Sequence, residues 1–415
     1  MLIFLSDTHL TDGSTCETIS ADAFGKLVLM LEDMAKTANS SDIEVVFLGD
    51  IFDVIRSEIW LSTDIRPWSP KNKTDKNSQG LKQYTMKIID RICQNDTNIG
   101  SMQHLKNFKE KMENEHVNVK YTYITGNHDW LINRYPETRL KIADFMGINK
   151  PEDFRNQTFD DELLRASYHV FARHGDIFDP FNFDGNRDAS SLGDAIVIDI
   201  INKFPQAVEK EIGKHTNPDL IKELKEIDNV RPLIDIPLWI NGVSLRAKTT
   251  EIGKKIKKVW NEVVDGFLNI KFVKDHDKAW RMDMVDALQV GLRLSKFLSL
   301  NEISEIPLRK FQKTEDDYID RAFQEDALLR NEATAIVYGH THDYKLQPLD
   351  QVHLGGITIG KKYFNSGTWR KVHKRTAFDQ KNYEFLSWHV LTLIAFYLEG
   401  ERGQRSFEVW NGVLG

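Results

Sequence analysis

The residues able to do chemistry fall into five short clusters: Asp7-x-His9, Gly49-Asp50, Gly126-Asn127-His128-Asp129, His174-Gly175-Asp176 and Gly339-His340-Thr341-His342. Two carboxylates (Asp7, Asp50), one amide (Asn127) and four imidazoles (His9, His174, His340, His342) suit a pair of borderline divalent ions such as Mn, Fe or Zn. Alternate residues of extended backbone point the same way, so the spacing lets Asp7 and His9 grip one ion, and His340 with His342 repeats the device. Glycines at Gly49, Gly126, Gly175 and Gly339 let the chain turn tightly where a side chain would crowd the metals. One such cluster arises readily by chance. Five in order, each just after an apolar run, point to a site.

The elements that must position these clusters are short strands. In YTYITGNHDWL, Tyr121 to Leu131, a β-prone run is stopped by glycine and short polar residues, which sets the polar groups at the strand's C-terminal end, where α/β sheets bind ligands. Similar runs begin at Leu2, Val45, Tyr168, Ala335 and Lys362. Between the first two, Phe24, Leu27, Val28 and Leu31 recur at helical spacing, so the chain opens as β-α-β with partly parallel pairing. The stretch LTLIAFYLEGERGQRSFEVWNG reads as an antiparallel hairpin. Two segments interrupt the rhythm. One, about 55–118, starts with the loop-forming DIRPWSPKNKTDKNSQG and then turns helical. The other, 180–331, is mostly helical and carries an apolar stripe from Ile252 to Leu268, continued by Met284, Leu288 and Leu292. It reads as a cap inserted between a first core part, 1–179, and a second, 332–415. No internal repeat or low-complexity tract is apparent.

A chain of 415 residues exceeds a single usual core. Its 41% hydrophobic content suits a packed globule. No run reaches the roughly 20 apolar residues of a membrane span; the best, Leu386 to Leu398, is short and holds His389. The opening MLIFLSDTHL has no basic start and no small-residue cleavage site, so a cytoplasmic protein is expected. Cys16 and Cys93 offer neither a disulfide framework nor a thiolate metal site, leaving oxygen and imidazole as ligands. A net charge of -7 argues against a general grip on nucleic acid. Two basic runs, GKKIKK at Gly253 to Lys258 and RKVHKR at Arg370 to Arg375, read first as solvated faces.

The ordered series Asp7-x-His9, Gly49-Asp50, Gly126-Asn127-His128, His174 and Gly339-His340-x-His342 resembles the calcineurin-like metallophosphoesterase family, over roughly the first 180 and last 85 residues. The resemblance implies an α/β fold, a two-sheet β-sandwich flanked by helices, here with a large helical cap insertion. It implies one ion on Asp7, His9 and His342, a second on Asn127, His174 and His340, and Asp50 bridging both. His128 matches the family's catalytic histidine. Within the family, HGD and YFNSGTW resemble the branch containing bacterial UDP-diacylglucosamine pyrophosphatases.

The chemistry so implied is hydrolysis of a phosphoester. Two ions about 3.5–4 Å apart, Mn first and Fe or Zn as alternatives, hold a bridging hydroxide and clamp the phosphoryl oxygens, while His128 protonates the leaving group. Asp53 and Asp176 stand as ligand-orienting groups or simple turn caps. Asp129 either orients the His128 ring or starts a helix at the surface. Arg187, soon after His174, is in reach of a substrate phosphate or pairs with Asp184 or Asp188. The expected substrate is a nucleotide- or lipid-linked phosphodiester or pyrophosphate. Nuclease action on DNA or RNA is the alternative, since GDIFD with GNHD also resembles the nuclease subunits of double-strand-break repair complexes. A scaffold that kept the fold without turnover is a third reading.

Overall fold

Alternate residues of the first strand serve two different apolar layers: Leu2 and Phe4 belong to one buried cluster, Ile3 and Leu5 to another. A computed structural model describes residues 1–69, 79–213, 216–232, 235–277, 315–354, 356–376 and 384–414. Its strands are β1 (Leu2–Leu5), β2 (Asp42–Leu48), β3 (Asn118–Ile124), β4 (Glu162–Arg165), β5 (Val170–Arg173), β6 (Val230–Arg231), β7 (Ala335–Tyr338), β8 (Tyr344–Leu354), β9 (Ile357–Ser366), β10 (Lys371–Arg375), β11 (Phe385–Phe396) and β12 (Phe407–Leu414).

They form two mixed sheets. A seven-stranded sheet has the order β3-β2-β1-β11-β10-β6, with β12 also on β11, and a five-stranded sheet has the order β4-β5-β7-β9-β8. In the first, β1, β2 and β3 run parallel and β11 pairs antiparallel with β1, β10 and β12. In the second, β5, β7 and β9 run parallel. Leu2, Phe4, Val46 and Ile394 of one sheet share a cluster with Val170, Val337 and Phe364 of the other, so the sheets face each other. Phe364 meets Phe396 edge-on at 5.3 Å and Phe407 at 5.1 Å. Such contacts contribute about 0.5–1.5 kcal/mol each beyond burial. Helices cover the outer faces. On the larger sheet lies Ala21–Ala38, capped by the Ser20 side chain and ended by Asn39 at φ 52°, with Phe24, Leu27, Val28 and Leu31 buried as their spacing predicts. On the smaller, Tyr318, Ala322 and Leu328 pack against Ile336 and Tyr338. This is the expected α/β arrangement of two sheets flanked by helices, and β11 with β12 is the expected hairpin.

Among its described residues the segment between β5 and β7 is mostly helical but not wholly so. Val230 and Arg231 form β6, parallel to β10, and so supply an edge of the larger sheet. Its helix Thr250–Leu268 buries Ile256, Val259, Trp260, Val263, Val264 and Phe267, which join the cluster containing Phe24 and Trp60. Met284, Leu288 and Leu292 lie outside the described residues, as do residues 70–78 of the expected loop. No helix among the described residues is long and apolar enough to cross a membrane.

The two basic runs differ. Lys254, Lys257 and Lys258 line the exposed face of their helix. The second run is not a solvated face: Arg370 pairs with Asp228 at 3.1 Å, Lys371 and His373 with Glu226 at 2.9 and 2.7 Å, and Lys374 with Asp343 at 2.8 Å.

Candidate metal centre

Every polar cluster lies just past the C-terminal end of a parallel strand: Asp7 and His9 after β1, Asp50 after β2, Asn127 and His128 after β3, His174 after β5, His340 and His342 after β7. The backbone there is unusual. Asp7 (φ 54°), His9 (φ 46°), Asp50 (φ 54°), His340 (φ 71°) and His342 (φ 64°) all take left-handed conformations. Each costs on the order of 1–3 kcal/mol and persists only where the surroundings force it. The expected extended D-x-H is therefore corrected. Asp7 and His9 converge because the chain curls at each of them, pinned by the Asp7 amide on the Gly49 carbonyl (3.1 Å) and the His9 amide on that of Asp50 (2.9 Å). Gly126 is needed for space rather than for its turn, since a methyl there would lie 2.6 Å from the Asp50 amide nitrogen and 2.9 Å from the His174 ring.

The ligand atoms gather in three groups, each within 4.8 Å: Asp7, His9 and His342; Asp50, His174 and His340; and His9, Asp53 and His128. Asp7 Oδ1 lies 3.2 Å from His342 Nε2 and 3.8 Å from His9 Nε2. Asp50 Oδ2 lies 3.2 Å from His174 Nε2 and 3.8 Å from His9 Nε2, between the first two groups. Atoms each about 2.1 Å from one ion would stand roughly 3–3.5 Å apart, so these spacings suit shared ions. Buried Asp7 Oδ1, Asn127 Oδ1 and His174 Nε2 make no hydrogen bond. Orphaned acceptors of this kind are costly unless something is bound. The residues present therefore fit a metal ion.

The far side of each ring decides which nitrogen is free to bind. His9 Nδ1 is 3.0 Å from Asp53, His174 Nδ1 is 2.8 Å from the Leu48 carbonyl, and His340 Nε2 is 3.1 Å from Asp179. Each contact places the ring proton on the outer nitrogen and turns the other lone pair inward. His342 is the exception, with Arg231 Nη2 2.8 Å from its Nδ1.

Charge is balanced within the cluster. Burial opposes ionisation of Asp7 and Asp50, but His174 and the neighbouring imidazoles hold both carboxyls well below the usual range. Burial likewise works against the charged form of His128, yet the carboxylates of Asp53 and Asp50 override it and hold the ring up at about 9. Asp50 and Asp7 do the same for His174, at about 10, so a metal ion binding there would displace the proton from that ring's inner nitrogen.

Three expectations need correction, and the two readings of Asp53 are decided in favour of the ligand-orienting one. Asp129 is neither exposed nor on the His128 ring: fully buried, it accepts from the amides of Ile51 (3.0 Å) and Gly126 (2.6 Å) and the hydroxyl of Tyr123 (2.5 Å). Burial and nearby Asp50 raise its carboxyl to about 7. Asp176 orients no ligand, because both its oxygens hold Arg187. Arg187, also 3.3 Å from Asp161, is thereby committed elsewhere than to a phosphate, and to neither Asp184 nor Asp188. Asp53 does more than cap a turn, since it touches both His9 and His128.

No protein-family model matches the chain, and no curated protein matches its sequence. The geometry therefore carries the functional reading.

Asp179 and Arg231 were not foreseen. The signal for Asp179 is a repeated pentapeptide, a short exception to the reading that the sequence holds no internal repeat. Gly49-Asp50-Ile51-Phe52-Asp53 recurs as Gly175-Asp176-Ile177-Phe178-Asp179, and in both copies the last carboxylate holds a histidine. Arg231 has no such signal.

Proposed function

We propose that the chain is a metal-dependent phosphoester hydrolase with a dinuclear centre, in a fold of the calcineurin-like metallophosphoesterase type. The observation that carries this reading is the convergence of Asp7, His9 and His342 beside Asp50, His174 and His340, with one carboxylate oxygen of Asp50 between the groups. Asp7, His9 and His342 would hold one ion, Asn127, His174 and His340 the other, and Asp50 both. Divalent ions bound there, Mn first and Fe or Zn as alternatives, supply Lewis-acid polarisation of the phosphoryl group and a nucleophile from water at neutral pH.

The chain's own residues do the rest. Among the site histidines His128 is the most open to solvent, its side chain 16% exposed against 8% for His340 and 1% for His9. With Nδ1 held 2.9 Å from Asp53, its Nε2 is the nitrogen left to give a proton to the leaving oxygen. The substrate class is a nucleotide- or lipid-linked phosphodiester or pyrophosphate. A nucleic acid is disfavoured because the run Arg370 to Arg375 is neutralised by carboxylates rather than open to a phosphate backbone. Metal analysis of the purified chain tests the reading: two divalent ions per chain are expected, and a chain that takes up none after exposure to Mn overturns it.

A further inference from the structure

Arg231 ends β6, opposite Lys374 of β10, and its guanidinium reaches the centre. Nη2 lies 2.8 Å from His342 Nδ1, while Nη1 donates to the carbonyl oxygens of Asp228 (2.5 Å) and Val230 (3.0 Å). The carboxylates that face it are those of Asp228, Asp343 and Asp7. Each is engaged elsewhere. Asp228 pairs with Arg370 at 3.1 Å and Arg56 at 3.5 Å, Asp343 with Lys374 at 2.8 Å, and Asp7 faces His342 at 3.2 Å. Among the described residues Arg231 thus has no carboxylate of its own, and a guanidinium is a cation at neutral pH.

A desolvated cation without a counter-charge is costly, and it is retained where an anion arrives. Around Asp228 stand three guanidinium groups, those of Arg56, Arg231 and Arg370; Arg56 and Arg370 also face Asp53, so Arg231, next to His342, is the least compensated of the three. A donor conflict points the same way. An ion on His342 Nε2 leaves the ring proton on Nδ1, so that two donors then face each other across the Arg231 contact. An oxyanion accepts from both.

We propose that Arg231 is a phosphate-recognition residue of this centre: a phosphoryl oxygen of the substrate accepts from its guanidinium and from His342 Nδ1, so the site favours phosphoanions of higher negative charge. The inference rests on the phosphoester reading and deepens it. Arginine suits the task because its planar fork meets two oxygens of one phosphoryl group.

The test is calorimetric titration of imidodiphosphate, which resists hydrolysis, and of inorganic phosphate into the Mn-loaded and metal-free full chain, as wild type, Arg231→Lys and Arg231→Gln, with metal content measured alongside. The inference expects imidodiphosphate to bind more tightly than phosphate, the Gln variant to lose roughly 10–100-fold of that affinity, the Lys variant to fall between, and metal content to hold. Equal affinity in all three chains overturns it. So does loss of metal from the Gln variant with unchanged imidodiphosphate binding to the metal-free chain, which would make Arg231 a support for His342 only. No turnover is read, so a wild type that binds imidodiphosphate through Arg231 yet hydrolyses no phosphoester would sink the enzymatic reading and leave the anion site standing.

Discussion

The imidazole of His128 is held through Nδ1, 2.9 Å from Oδ1 of Asp53, whose other oxygen lies 3.0 Å from Nδ1 of His9. One buried carboxylate thus orients both a candidate metal ligand and the candidate proton donor. His128→Asn should keep bound metal while slowing turnover by roughly 10²–10⁴-fold. The loss should shrink for substrates with very acidic leaving groups, which need little protonation. Equal losses across a leaving-group series would remove the acid role.

Asp50 is the carboxylate between the two ligand groups. Asp50→Asn should empty both sites and abolish activity, since no neighbouring residue replaces its charge. Plasma mass spectrometry of the purified variant is the check. Retention of two ions per chain would show that Asp50 is not shared.

Asp179 lies 3.1 Å from His340 Nε2 and also accepts from the Phe181 amide at 2.9 Å and the Asn182 side chain at 2.7 Å. Its removal frees the ring to rotate. Asp179→Ala should weaken metal binding by about 10–100-fold, a usual effect of losing a carboxylate behind a ligating histidine, with Asp179→Asn retaining part. Metal affinity of both variants equal to that of the wild type would confine Asp179 to its loop.

The candidate ligands were legible in the sequence because their chemistry is intrinsic to residue type and because each follows a strand whose apolar run marks its end. What positions them was less legible. Asp7 and His9 meet through left-handed turns, and φ does not show in a residue alphabet that normally avoids such values. Arg187 sits close to His174 in sequence, yet Asp176 and Asp161 capture it. Arg231 meets His342 from 111 residues away because β6 pairs with β10, and a two-residue strand leaves no periodic trace. The run Arg370 to Arg375 read as solvated because its carboxylate partners, Asp228 and Glu226, lie in the same distant segment.

Stability should depend on pH through the joint between the sheets. Glu44 on β2 accepts from Arg165 of β4 through Nε (2.7 Å) and Nη2 (2.6 Å). Burial pushes the carboxyl up, but these bonds and that of Thr122 bring it down to about 2 from 4.5. A carboxyl lowered in the folded state stabilises above its unfolded value, and that contribution is lost as pH falls from about 4.5 to about 2. Allowing for screening of a partly exposed pair, Glu44→Gln should cost about 1–2 kcal/mol at pH 7 and almost nothing near pH 2. Chemical denaturation across that range is the measurement. A difference that stays constant with pH would assign the loss to packing.

The most direct measurement is the initial rate of bis(p-nitrophenyl) phosphate hydrolysis by chelator-stripped protein as Mn is added back. A dinuclear phosphoester hydrolase should be inactive when stripped, regain activity saturably with Mn, and lose that response in Asp50→Asn. Hydrolysis undiminished by stripping, or none with Mn, Fe or Zn at any concentration while the metal is demonstrably bound, would contradict the proposed function.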